Sequence, residues 1–111
     1  MDLDPEVSPD FLADARDPWP LNGGQYWAGV LIDPPYTVSD SEKYAPGAAC
    51  FPSPNALLCR AFEALRPAGR AGLIHYVLPA PPAGAIFVAA IGILCGFNNR
   101  IRLFSVFEKP T

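Results

Sequence analysis

The sequence is short of charge, of histidine and of clustered cysteine. Only 17% of its 111 residues are Asp, Glu, Lys or Arg, and half are hydrophobic; that balance excludes a globally disordered chain. His75 is the one histidine, and Cys50, Cys59 and Cys95 form no CxxC pair. A structural zinc site draws four ligands from compact pairs, so no metal centre is expected. Three cysteines cannot all pair internally and read as free thiols of a reducing cytoplasm. The acidic amino terminus has no apolar core, so no signal peptide is visible and a cytoplasmic location is expected. Residues 71–99 hold no Asp, Glu, Lys or Arg, but Pro79, Pro81 and Pro82 cut them. The longest uninterrupted apolar piece is about 15 residues against the ~20 of a spanning helix, so no membrane partner is expected.

What charge there is lies unevenly. Residues 1–42 hold nine acids and one base, Arg16; residues 43–111 hold seven bases against Glu63 and Glu108, so the two parts carry -8 and +5. A polyanion would approach through the second part, while the net charge of -3 argues against a strong autonomous DNA binder. The length implies one small domain, 1–111. Its 14 prolines and nine glycines are scattered and read as turns.

Along the chain, Asp10–Asp14 is a short strand candidate ending on a carboxylate. Tyr26–Ile32 is a continuous apolar run, which suits a strand buried on both faces. The polar segment 37–53 reads as a long loop. Ser53 is an N-cap with Pro54 at the first helical position. Leu57, Leu58, Ala61, Phe62 and Leu65 then share one helical face, and Pro67 ends the helix. Gly72–Leu78 is the next strand, which makes a βαβ unit. Residues 85–95 and 100–109 read as a β-hairpin turning at 96–99, with a buried helix over 85–95 as the rival.

The stretch Val30-Leu31-Ile32-Asp33-Pro34-Pro35-Tyr36 carries the chemistry. An open α/β sheet puts its ligands outside the carboxyl ends of its strands, where Asp33 falls. The prolines stiffen the loop and offer carbonyls without competing N–H groups. The Asp33 carboxylate and the Pro34 carbonyl could accept both N–H bonds of an exocyclic amino group, with Tyr36 stacked on its ring. Those bonds loosen the conjugation of the nitrogen with the ring and free its lone pair for attack.

IDPPY after an apolar strand resembles the catalytic motif of S-adenosylmethionine-dependent amino-methyltransferases. These act on adenine or cytosine in DNA, or on guanine or adenine in RNA. PDFLADARD at 9–17 is similar to the family's third strand, DLDP at 2–5 to the end of its second. AFEALRPAGRAGLIHYVLP at 61–79 is similar to its helix, turn and fifth strand, and the hairpin to its last two strands. The resemblance implies a partial Rossmann-like methyltransferase sheet of the α/β class, mostly parallel with a carboxyl-terminal antiparallel hairpin. It implies methyl transfer to a nucleobase amino group, first of all adenine in DNA. Asp33, Pro34, Pro35 and Tyr36 would then be catalytic. Asp14 with Ala15 would contact the cofactor adenine, and Asp2 or Asp4 the ribose of S-adenosylmethionine. Asp14 reads equally well as a plain strand-end cap, and His75 as a core-edge residue.

One departure stands out. The family's first strand and Gly-rich loop have no counterpart, and no GxG occurs anywhere. The chain resembles the carboxyl-terminal two-thirds of the fold, so cofactor binding by the isolated chain is expected to be weak or absent. Three arrangements remain open: a short enzyme completed by dimerising or by a partner chain, a non-catalytic binding or regulatory relative, or a fragment of a longer enzyme. The open edge of the 26–33 strand favours a homo-oligomer.

Overall fold

The computed structural model describes residues 1, 3–19, 27–44, 52–94, 96 and 100–111, without the side chains of residues 41, 43 and 44. Asp2, Tyr26, Cys50 and Cys95 lie outside the described residues, as does most of the expected 96–99 turn.

The first strand, β1 (Trp27–Ile32), is followed by a helix over Val38–Tyr44, α1. This segment was expected to be loop. The Thr37 hydroxyl accepts a hydrogen bond from the Asp40 N–H at 3.1 Å and so starts the helix. The sequence VSDSEKY has almost no apolar face, so hydrophobic periodicity could not reveal it.

The next helix, α2 (Pro54–Ala64), has Ser53 as its N-cap and Pro54 in its first turn, as expected. Leu57, Leu58, Ala61 and Phe62 are buried. The helix ends at Ala64 with Leu65 as its C-cap, just ahead of Arg66, the residue before Pro67, where a helical backbone is disfavoured. Strand β2 (Leu65–His75) begins at once. It therefore starts earlier and stops sooner than the expected 72–78. Its first part bulges: Trp27 pairs with Leu65, but Gly29 pairs with Arg70. Ala68 takes a positive φ of 62° within that bulge. Gly69 is required there, because a Cβ would lie 2.8 Å from the Arg66 carbonyl and 3.0 Å from that of Trp27.

Strands β3 (Ile86–Leu94) and β4 (Ile101–Glu108) form the expected antiparallel hairpin, so the rival helix over 85–95 is not adopted. The sheet order is β1-β2-β4-β3, with β1 and β2 parallel and the other two pairings antiparallel. The α/β class and its closing hairpin are as expected, with one parallel and two antiparallel pairings in the described sheet.

The core lies between α2 and one face of the sheet. Leu58, Ala61, Phe62, Leu65, Ala71 and Phe107 form it, with Trp19, Val30, Ile32 and Ala85 packed around it. The Lys109 ammonium donates to the carbonyls of Phe62 at 2.6 Å and Leu65 at 2.8 Å, closing the carboxyl end of α2. Strand β1 is not buried on both faces. Val30 and Ile32 face the helix, while Leu31 is 81% exposed. Leu31 lines an open apolar groove of about 250 Å³ with Gly29, Arg70, Gly72, Phe104 and Val106 on the other face. The expected 10–14 strand is absent. Leu12 makes a single bridge, and residues 14–17 form a turn.

Candidate functional site

The sheet register determines what meets at the end of β1. Ile32 pairs with Leu73 in the parallel ladder, so Asp33–Tyr36 emerge beside His75 and Tyr76 at the end of β2. His75 pairs with Leu103 in the antiparallel ladder, which brings the start of β4, with Arg100 and Arg102, to the same end.

Tyr36 is the hub. Its hydroxyl donates to Asp33 Oδ1 at 2.5 Å. Its ring lies 4.8 Å from that of Tyr76, tilted by 58°, and meets His75 edge-on at 5.4 Å. The Arg102 guanidinium stands 5.4 Å from its centroid, and the Arg100 guanidinium 5.2 Å from that of Tyr76. These distances fit cation–π contact. Burial first, then the adjoining Asp33 carboxylate, push the Tyr36 hydroxyl well above its ordinary range, so it stays a proton donor. Burial pushes the His75 imidazole down, which favours its neutral form. Its Nδ1 accepts a long bond from the Val77 N–H, at 3.4 Å. Asp33 itself is exposed, and Pro34 and Pro35 are half-buried.

Chemically, Asp33 presents a carboxylate oxygen to a hydrogen-bond donor beside an aromatic ring. The Tyr36 hydroxyl fills that position here. An exocyclic amino group can take the same place once the hydroxyl withdraws.

Of the residues suggested for the cofactor, Asp4, Asp14 and Ala15 are engaged locally, and Asp2 lies outside the described residues. Asp4 caps a short 3₁₀ turn over Pro5–Val7 by accepting from the Glu6 N–H at 2.9 Å. The Asp14 carboxylate accepts from the Arg16 N–H and guanidinium, including one very short bond to the terminal nitrogen. Arg16 holds the Asp14 carboxyl below its ordinary range, largely through that side-chain bond. The Ala15 carbonyl accepts from Trp19 Nε1 at 2.9 Å, and Arg60 binds the Arg16 carbonyl at 3.0 Å, which ties the turn to α2. At the carboxyl end of β1 the described residues bring together one exposed carboxylate, Asp33, and a pair of tyrosine rings, Tyr36 and Tyr76. No group of three or more potential metal ligands occurs among the described residues, and none of their helices is long and apolar enough to cross a membrane.

Sequence reasoning did not single out Tyr76, Arg100 or Arg102. Their one signal is position: Tyr76 follows the end of an apolar strand, and the two arginines alternate at the start of another.

The class that fold and strand-end cluster define is an α/β sheet with its polar residues gathered at the carboxyl end of a parallel pair. No family model matches the chain, and no curated protein matches it. Among solved structures, it is similar to a crystal structure from Haemophilus influenzae, that of a candidate methylase, with a TM-score of 0.54 at 15% identity. The match covers 91% of this chain and 54% of the other. The chain therefore spans about half of that structure and has a partial methylase-like fold.

Proposed function

We propose that this chain carries the acceptor half of a nucleobase amino-methyltransferase. The observation that supports it most directly is the Tyr36 hydroxyl seated on Asp33 Oδ1 at 2.5 Å, where the amino group of a base would donate. In this reading Asp33 and the Pro34 carbonyl hold the two amino hydrogens, Pro35 stiffens the turn, and Tyr36 stacks against the base. The pull on both hydrogens concentrates the nitrogen lone pair for attack. A base inside a duplex must leave its stack to reach Asp33, at a cost of a few kcal/mol. Adenine in DNA is the first acceptor to test. S-adenosylmethionine is the donor that the reading requires. The local engagement of Asp4 and Asp14 implies that its binding is completed by a second copy or a partner chain.

The same engagement favours a second reading, a non-catalytic relative that keeps the base-binding end. Transfer of labelled methyl from S-adenosylmethionine to DNA and RNA oligonucleotides separates the two, alongside calorimetric titration with S-adenosylhomocysteine. Transfer that disappears in a folded Asp33→Ala variant supports the enzyme. Full activity in that variant removes Asp33 from the chemistry. Neither transfer nor cofactor binding, in any assembly of the chain, leaves the non-catalytic reading.

A further inference from the structure

We infer that Tyr76, Arg100 and Arg102 form, with Tyr36, a binding site for an unpaired stretch of polynucleotide. The inference rests on the proposed function for the position of the target base at Asp33, and extends the site to the neighbouring nucleotides.

Three features point this way. Two tyrosine rings lie side by side, 4.8 Å apart, at the end of the sheet. Each has a guanidinium over it. A guanidinium held over a ring by cation–π attraction also carries the planar fork of N–H donors that suits a phosphate. Aromatic faces interleaved with such cations form the usual platform for single strands, because every base has a face to stack and every nucleotide a phosphate to bind. The charge distribution agrees: the arginines belong to the basic part of the chain, residues 43–111.

The tilt of the rings selects the form of the nucleic acid. At 58° to one another, they cannot both lie flat against adjacent bases of a duplex, which are nearly parallel. Bases splayed from a single strand, a loop or a bulge can meet both. Asp33 stands beside the same rings, so the base on Tyr36 is the one whose amino group reaches the carboxylate. Tyr76 then takes an adjoining base, and Arg100 and Arg102 take the phosphates on either side.

The test is fluorescence anisotropy of the full chain with labelled single-stranded DNA, single-stranded RNA and duplex DNA of equal length, titrated across salt concentrations without any methyl donor. The single strands should bind more tightly than the duplex, and the two single-stranded arms show which sugar is preferred. Arg102→Ala and Arg100→Ala should each weaken single-strand binding about tenfold at ~0.1 M salt and lower the slope of log affinity against log salt by about 0.7. Tyr76→Ala should weaken binding about tenfold without changing the slope, and Tyr76→Phe should restore it. Arg66→Ala is the control and should change nothing, because Arg66 lies at the opposite end of β2. Circular dichroism checks that each variant is folded, and exposed Arg100 serves if Arg102→Ala is not. Absence of single-strand binding, tighter duplex binding, or unchanged affinity and slope in the folded arginine variants would overturn the inference. Binding that depends on these residues without methyl transfer would overturn the proposed reaction and leave this site standing. Transfer with unaffected arginine variants would do the reverse.

Discussion

Replacing Lys109 by Met tests how the helix is held to the sheet. The ammonium donates to two carbonyls at the carboxyl end of α2, Phe62 at 2.6 Å and Leu65 at 2.8 Å. Its backbone separately binds Gly69 and Ala68, at 2.9 and 3.0 Å, so the side chain can change while strand β4 stays in register. A hydrogen bond from a charged donor contributes about 1.5–3 kcal/mol, and a cation at a helix carboxyl end adds about 0.3–1 kcal/mol. Lys109 is only half-buried, so water can reach the freed carbonyls and recover much of this. The net loss expected is therefore about 2 kcal/mol. With a urea slope of ~1.5 kcal/mol per molar, the unfolding midpoint should fall by about 1.3 M. Lys109→Arg should recover part of the loss, and Arg66→Met, an exposed change, should cost under about 0.5 kcal/mol. Urea unfolding followed by circular dichroism measures all three. A Lys109→Met loss below about 0.5 kcal/mol would show that water serves these carbonyls as well as the ammonium does.

Three further outcomes are expected. Tyr36→Phe should keep more nucleobase binding than Tyr36→Ala, because stacking needs the ring, and it also frees Asp33 Oδ1; equal losses in anisotropy would refute a stacking role. The folded chain holds His75 below its ordinary pKa while the unfolded chain does not, so the unfolded state binds more protons and stability falls as pH drops below ~6.5. In His75→Gln that part of the pH dependence should vanish from thermal melts taken between about pH 5 and 7. The uncharged edge strand β1, with Leu31 exposed, should pair with a second copy; light scattering that shows a stable monomer at high micromolar concentration would refute this.

Some of this was legible in the sequence for definite reasons. α2 carries a cap, a first-turn proline and a regular apolar face, three independent signals that agree. The hairpin was readable from β-branched and aromatic residues on both sides of the Gly-Phe-Asn-Asn segment. The Asp33–Tyr36 corner could be placed at a strand end because two prolines stop an apolar run. The misses have causes too. α1 has only Val38 and Tyr44 among polar residues, too little for a periodic apolar face. The run Tyr26–Ile32 is continuously apolar and so reads as buried on both faces, yet periodicity cannot report that α2 covers only one face of the described strand, Trp27–Ile32. Asp14 reads as the end of a strand, whereas it opens a turn in which Arg16, two residues on, binds its carboxylate. Arg100 and Arg102 gained meaning only once the register of β4 against β2 set them beside the tyrosines.

That register couples two properties. Phe107 and Ser105 face the helix from β4, and Arg102 faces the other way from the same strand. Side chains alternate, so a slip of one residue would expose Phe107 to water and turn Arg102 away from Tyr36 together. Any change that keeps the core intact therefore keeps the arginine aimed. Drift in β4 that spoils the recognition end should first show as a loss of stability, whereas substitutions at Arg102 itself escape that safeguard. The residue most open to functional divergence is thus mounted on a strand whose register the core holds.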